Sequence, residues 1–168
     1  MSRKNLLDQV WSLRSDSKLK PVSLNLIVHL ITDDESQKCV AALINKLLLN
    51  STSKIEGLEL INVCLSHFSP QVICDHGLSW IRCCLNHHEQ DQNRDIYENV
   101  SKYYKVFTES YRFQKEILSE YLSPTLDSSL LKTADLNVKE SALNCLVACL
   151  SYYSSSCNTY KQKLKTIF

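Results

Sequence analysis

Two glycines, Gly57 and Gly77, and three prolines, Pro21, Pro70 and Pro124, are all the turn formers this 168-residue chain possesses. Sandwiches, barrels and phosphate-cradling loops need glycine or proline at repeated corners. Helices joined by polar loops do not. The chain is therefore expected to be all-α and long enough to enclose one core as a single domain over residues 1–168. Apolar residues make up 44% and charged residues 22%, and the formal net charge is +1. Such a balance gives no general attraction to nucleic acid or to an anionic membrane, so any basic patch has to be local.

Apolar spacing places the helices. Val40, Leu43, Ile44, Leu47 and Leu48 recur at intervals of three and four behind Asp33-Asp34-Glu35, acids that suit a helix N-terminus, which predicts a helix over 34–49. Ile96, Val100, Tyr103, Tyr104, Phe107 and Tyr111 repeat the pattern, as do Phe113, Ile117, Leu118 and Leu122 before Ser123-Pro124. Val138, Ala142, Cys145, Leu146, Cys149, Leu150 and Tyr153 trace another stripe, with Asn137 expected as the N-cap and Glu140 in the capping-box position. Residues 22–31 begin with strand-like alternation, but Pro21 suits a first helical turn and no partner strand exists, so a buried helix is predicted. Leu6, Leu7, Val10 and Trp11 define a short amphipathic helix packed on it. Loops are expected near 15–20, 32–34, 50–53, 69, 88–93, 123–136 and 154–158.

Residues 58–69, LELINVCLSHFS, laid over 143–154, LNCLVACLSYYS, share Leu, Cys, Leu, Ser and Ser at an offset of 85. Half that offset is close to the period of about 40 to 47 residues of two-helix repeats. The expected architecture is an α-solenoid of stacked helical hairpins, HEAT- or armadillo-like, with eight to nine helices.

The stretch CDHGLSWIRCCLNHH, residues 74–88, holds three cysteines and three histidines and raises the question of a metal. Ser69-Pro70 signals a helix start, and on an ideal helix His76, Trp80, Cys83 and His87 share one angular band. His76 and His87 are then separated by about 16 Å along the axis, whereas zinc bonds are only about 2.0 to 2.3 Å long. Cys83 with His87, or Cys84 with His88, could supply half a site, and Cys145 with Cys149 is the comparable pair elsewhere. The alternative makes Ile73, Trp80, Ile81, Cys84 and Leu85 core residues, with cysteine as a small hydrophobe and His87 and His88 at the helix end. That alternative is preferred, and no metal ligand or cofactor is expected.

Nor is a catalytic residue expected. No P-loop, G-x-S-x-G or H-E-x-x-H occurs, and the acids are dispersed rather than paired. The eight cysteines are expected as reduced thiols, since MSRKNLLDQVW lacks the apolar run of a signal peptide and the sequons at Asn50 and Asn99 have no lumenal context. Lys161, Lys163 and Lys165 make the C-terminal end basic, and Arg3, Lys4, Arg14, Lys18 and Lys20 do the same at the other end. A helical-repeat module binding RNA or DNA through these segments is the second functional reading.

The segment over 142–164 carries Ala142-Leu143, Ala148-Cys149, Tyr152-Tyr153, Cys157 and Lys161-x-Lys163-Leu164, and the segment over 56–82 carries Gly57-Leu58, Leu60, Ser79-Trp80 and Ile81-Arg82. In order and spacing these resemble the N-terminal Rix-type domain of the proline-, glutamic acid- and leucine-rich protein family, over roughly residues 55–165. The resemblance implies the N-terminal part of a longer protein. It implies a non-catalytic scaffold of the rixosome, acting in late large-subunit ribosome maturation and rRNA processing and tied to chromatin silencing. The implied partners are a WD-repeat propeller subunit, a second helical-repeat subunit, the midasin ATPase and the pre-ribosomal particle, in nucleus and nucleolus and away from membranes. Whether two copies pair is left open. Arg82, Lys161, Lys163 and Lys165 are the expected partner-binding residues, while Trp80 and Cys149 are expected inside.

Overall fold

A computed structural model of the chain describes residues 2–85, 94–111 and 135–152. Helix α1 spans Arg3–Ser12 and continues into a 3₁₀ turn at Leu13–Ser15, and α2 spans Lys20–Leu30 with Pro21 in its first turn. Helix α3 covers Asp34–Leu48, a 3₁₀ turn covers Ser51–Ser53, and α4 covers Lys54–Cys64 before a 3₁₀ turn at Leu65–His67. A short α5, Pro70–Val72, passes through a π-helical stretch at Ile73–Gly77 into α6, Leu78–Leu85. Helix α7 spans Arg94–Tyr111 and α8 spans Leu136–Tyr152. No strand occurs among the described residues. Seven helices reach eight residues there, fewer than the eight to nine expected, and the helix predicted over 113–122 lies outside the described residues.

Local chemistry explains the starts. Ser2 accepts from the Asn5 N–H, and Ser69 accepts from the Val72 N–H as the Ser-Pro signal predicts. Asp33 and Ser36 form a reciprocal capping box: the Asp33 carboxylate accepts from the Ser36 N–H at 2.9 Å, and the Ser36 hydroxyl accepts from the Asp33 N–H at 3.0 Å. The expected cap at Asn137 is corrected. The Asp135 carboxylate accepts from the Val138 N–H at 2.9 Å, so α8 starts two residues earlier and Asn137 sits in its first turn.

The core is one cluster to which every long helix contributes. Helix α7 gives Val100, Tyr103, Tyr104, Phe107 and Tyr111, all buried, with Tyr103 stacked on Phe107 at 6.0 Å and Phe107 meeting Tyr111 in a tilted pair at 5.4 Å. Val138, Ala142, Cys145 and Leu146 of the α8 stripe are buried too; the Cys149 and Leu150 side chains and Tyr153 lie outside the described residues. Leu7 is buried on α1, but Leu6, expected on the same face, stays 37% exposed.

The pairing of helices is regular. Helix α1 packs on α2 and α3, α2 on α4, α3 on α4 and α6, α4 on α7, and α7 on α6 and α8. Polar bonds stitch these contacts. The buried Ser23 hydroxyl donates to the Val10 carbonyl at 2.7 Å, tying α2 to α1, and the Asn62 amide donates to the Asn99 carbonyl at 3.0 Å, tying α4 to α7. Where α3 meets α4 the backbones approach closely because Gly57 has no side chain: a Cβ there would lie 2.9 Å from Leu48 Cδ2 and 3.1 Å from Leu47 Cβ.

The two segments aligned at an offset of 85 take different paths. Helix α4 leaves α geometry at Leu65, whereas α8 continues through Ser151 and Tyr152. At the first site the buried Tyr111 hydroxyl reaches the carbonyls of both Leu65 and Phe68, which bracket the 3₁₀ turn.

Candidate functional site

The cysteine and histidine stretch folds around Trp80. This side chain is fully buried, its indole N–H donates to Asn45 Oδ1 at 2.6 Å, and it meets Phe68 at 5.6 Å and stacks on His76 at 5.8 Å between ring centroids. The expected neighbourhood of His76 and Trp80 on one face is present as this ring stack, although the segment Ile73–Gly77 is π-helical rather than α-helical. Ile73, Ile81 and Cys84 are buried, as the core reading predicts. The Leu85 side chain, His87 and His88 lie outside the described residues. No cluster of three His, Cys, Asp or Glu side chains able to hold a metal ion occurs among the described residues.

The thiols here behave as packing groups. Burial pushes the Cys64 thiol up to about 12 and raises Cys84 further, with the neighbouring Cys83 adding to the shift and Lys54 opposing it. Cys83 Sγ lies 3.3 Å from the Leu48 carbonyl. Beside them stands Lys54, only 3% exposed, whose ammonium donates to the Cys83 carbonyl at 3.3 Å near the end of α6, where positive charge suits the helix dipole.

Of the four residues expected to meet partners, Arg82 is exposed on α6, while Lys161, Lys163 and Lys165 lie outside the described residues. The basic N-terminal segment is largely neutralised. Arg3 pairs with Asp33, Arg14 pairs with Glu56 while lying over the Trp11 ring, and Lys20 pairs with Glu59 at 2.7 Å. Among the described residues Lys4 and Lys18 have no ion pair.

Sequence reasoning missed a concave surface between α1 and α3. Its floor is Leu7, Cys39, Ala42 and Leu43, and its rim carries Lys4, Lys38 and Lys46 with Asp8 and Glu35, enclosing about 550 Å³. A smaller cavity of about 160 Å³ lies across the same helix contact, beside His29 and Leu30. The sequence did carry a signal. Glu35, Lys38, Cys39, Ala42, Leu43 and Lys46 recur at helical spacing on α3 as a second stripe, separate from the buried one of Val40, Ile44, Leu47 and Leu48. No helix among the described residues is long and apolar enough to cross a membrane.

Comparison with known proteins finds no match to any protein-family model, curated protein or solved structure.

Proposed function

We propose that this chain is a non-catalytic interaction scaffold built as an α-solenoid. The observation that carries the reading is the order of helix pairing: α1 to α3 to α6 on one side and α2 to α4 to α7 on the other, cross-linked where α3 meets α4 and α6 meets α7. Hairpins stacked in that order form an elongated body in which each hairpin completes its neighbour's core and leaves long outer faces for docking. Together with the Gly57-Leu58, Ser79-Trp80 and Lys161-x-Lys163-Leu164 motifs, this supports a role as a rixosome scaffold in late large-subunit maturation and rRNA processing. In that role the chain holds a WD-repeat propeller subunit, a second helical-repeat subunit and the midasin ATPase on the pre-ribosomal particle, in nucleus and nucleolus, and extends to chromatin silencing.

Affinity purification of the full-length protein with identification of the bound subunits tests the role. Recovery of the propeller subunit and midasin supports it, and a reproducible, unrelated partner set overturns it. Direct RNA or DNA binding is the less favoured reading, because Arg3, Arg14 and Lys20 already hold carboxylates. Retention on purified RNA that falls steeply with salt and is lost on charge reversal of Lys161, Lys163 and Lys165 would revive it.

A further inference from the structure

We infer that the groove between α1 and α3 is a docking site for an acidic amphipathic helix from a partner protein. The inference rests on the scaffold reading and specifies one of its surfaces. The floor is apolar, with Ala42 exposed and Cys39 and Leu43 half-buried, so it presents side chains that gain from further burial. Ala42 is small, which lets an incoming helix approach α3 closely. From Glu35 to Lys46 the seat extends about 16 Å, three turns of helix, and so takes apolar residues at i, i+3 or i+4, and i+7.

The rim sets the sign of the partner's charge. Lys4, Lys38 and Lys46 are exposed, and among the described residues none has a carboxylate within ion-pair distance. The rim carries two carboxylates, Asp8 and Glu35, the latter 3.7 Å from Arg3, against three ammonium groups, so positive charge is in excess. An occupant with glutamates or aspartates beside its apolar stripe satisfies these lysines, and a basic occupant meets repulsion. The apolar floor favours a helix over nucleic acid, whose phosphates would leave Leu43 and Cys39 without partners.

The test selects binders from a phage-displayed library of helical peptides on the intact chain and on the variant Lys38→Glu/Lys46→Glu. Expected are enriched peptides with acids flanking an apolar stripe. Their affinity should fall by about tenfold or more on the double variant and recover when the peptide acids are replaced by lysine, the signature of paired charges. Bound peptide should also shield Cys39 from iodoacetamide while leaving Cys74, which lies outside the groove, as reactive as before. Enriched peptides without acidic bias, equal affinity for the variant, or an unshielded Cys39 each overturn the inference. A single-stranded RNA oligomer that shields Cys39 where the peptides do not overturns it as well. If the full-length double variant still recovers its complete partner set, the groove inference fails while the scaffold role stands; loss of the scaffold role is read from the unmodified protein.

Discussion

Replacing Gly57 by alanine sets two effects of known sign against each other. Within a helix, alanine is favoured over glycine by about 0.8 to 1.0 kcal/mol, so α4 taken alone gains from the change. The new methyl, however, would lie 2.9 Å from Leu48 Cδ2, 3.1 Å from Leu47 Cβ and 3.3 Å from Leu48 Cγ, all inside the ordinary carbon separation of about 3.5 to 4.0 Å. Leu47 and Leu48 are themselves buried, so the side chains that must yield have little space to enter. Overpacking of this kind costs about 1 to 3 kcal/mol, and after the helical gain a net loss of about 1 kcal/mol is expected. For a chain of this size that lowers the melting temperature by about 2 to 4 °C. Urea unfolding of the four proteins of a double-mutant cycle with Leu48→Ala isolates the cause. Removing the Leu48 branch relieves two of the three close contacts, so Gly57→Ala should turn neutral or stabilising in that background, with a coupling of about 1 to 2 kcal/mol. A rise in stability from Gly57→Ala in the native background, or a coupling of zero, refutes the reasoning.

Tyr111→Phe removes the hydroxyl that reaches the Leu65 and Phe68 carbonyls and should destabilise the fold by about 1 to 3 kcal/mol, read from denaturant unfolding. The Asp33 carboxyl is held below its ordinary value by the Ser36 backbone N–H and then by Arg3. Its contribution is therefore fully present above the unfolded carboxylate value of about 3.9 and disappears as the pH falls through the lowered folded value. An NMR titration of the Ser36 amide should follow that step, and Asp33→Asn should abolish it. Timed alkylation with mass mapping should label Cys39 before Cys64 and Cys84, whose thiols are buried and hard to ionise; equal rates would contradict the packing described above.

Residues whose neighbours lie within one turn were legible in the sequence. The stripes of α3, α7 and α8, the Ser69-Pro70 start and the burial of Trp80 follow from spacing and cap chemistry. What was not legible depends on groups far apart in the chain. Arg14 meets Glu56 across 42 positions, and Arg3 meets Asp33 across 30, so the N-terminal end that reads as a basic patch is in large part compensated. The carbonyls of the 3₁₀ turn after α4 are met by a tyrosine 46 positions from Leu65. Gly57 announces a close approach without naming Leu48 as the neighbour. Asp135 was not legible as the cap because Asn137 has Glu140 at the capping-box position, whereas Asp135 has only Val138 there and caps through that residue's N–H.

Lysine side chains are ordinarily the first groups that acetyl donors and ubiquitin ligases encounter. Lys54 is withheld from them by the same packing that sets its ammonium against the Cys83 carbonyl. An acyl mark found at this position therefore dates from a moment when α4 and α6 were apart, and its abundance gauges how often that seam opens in the cell.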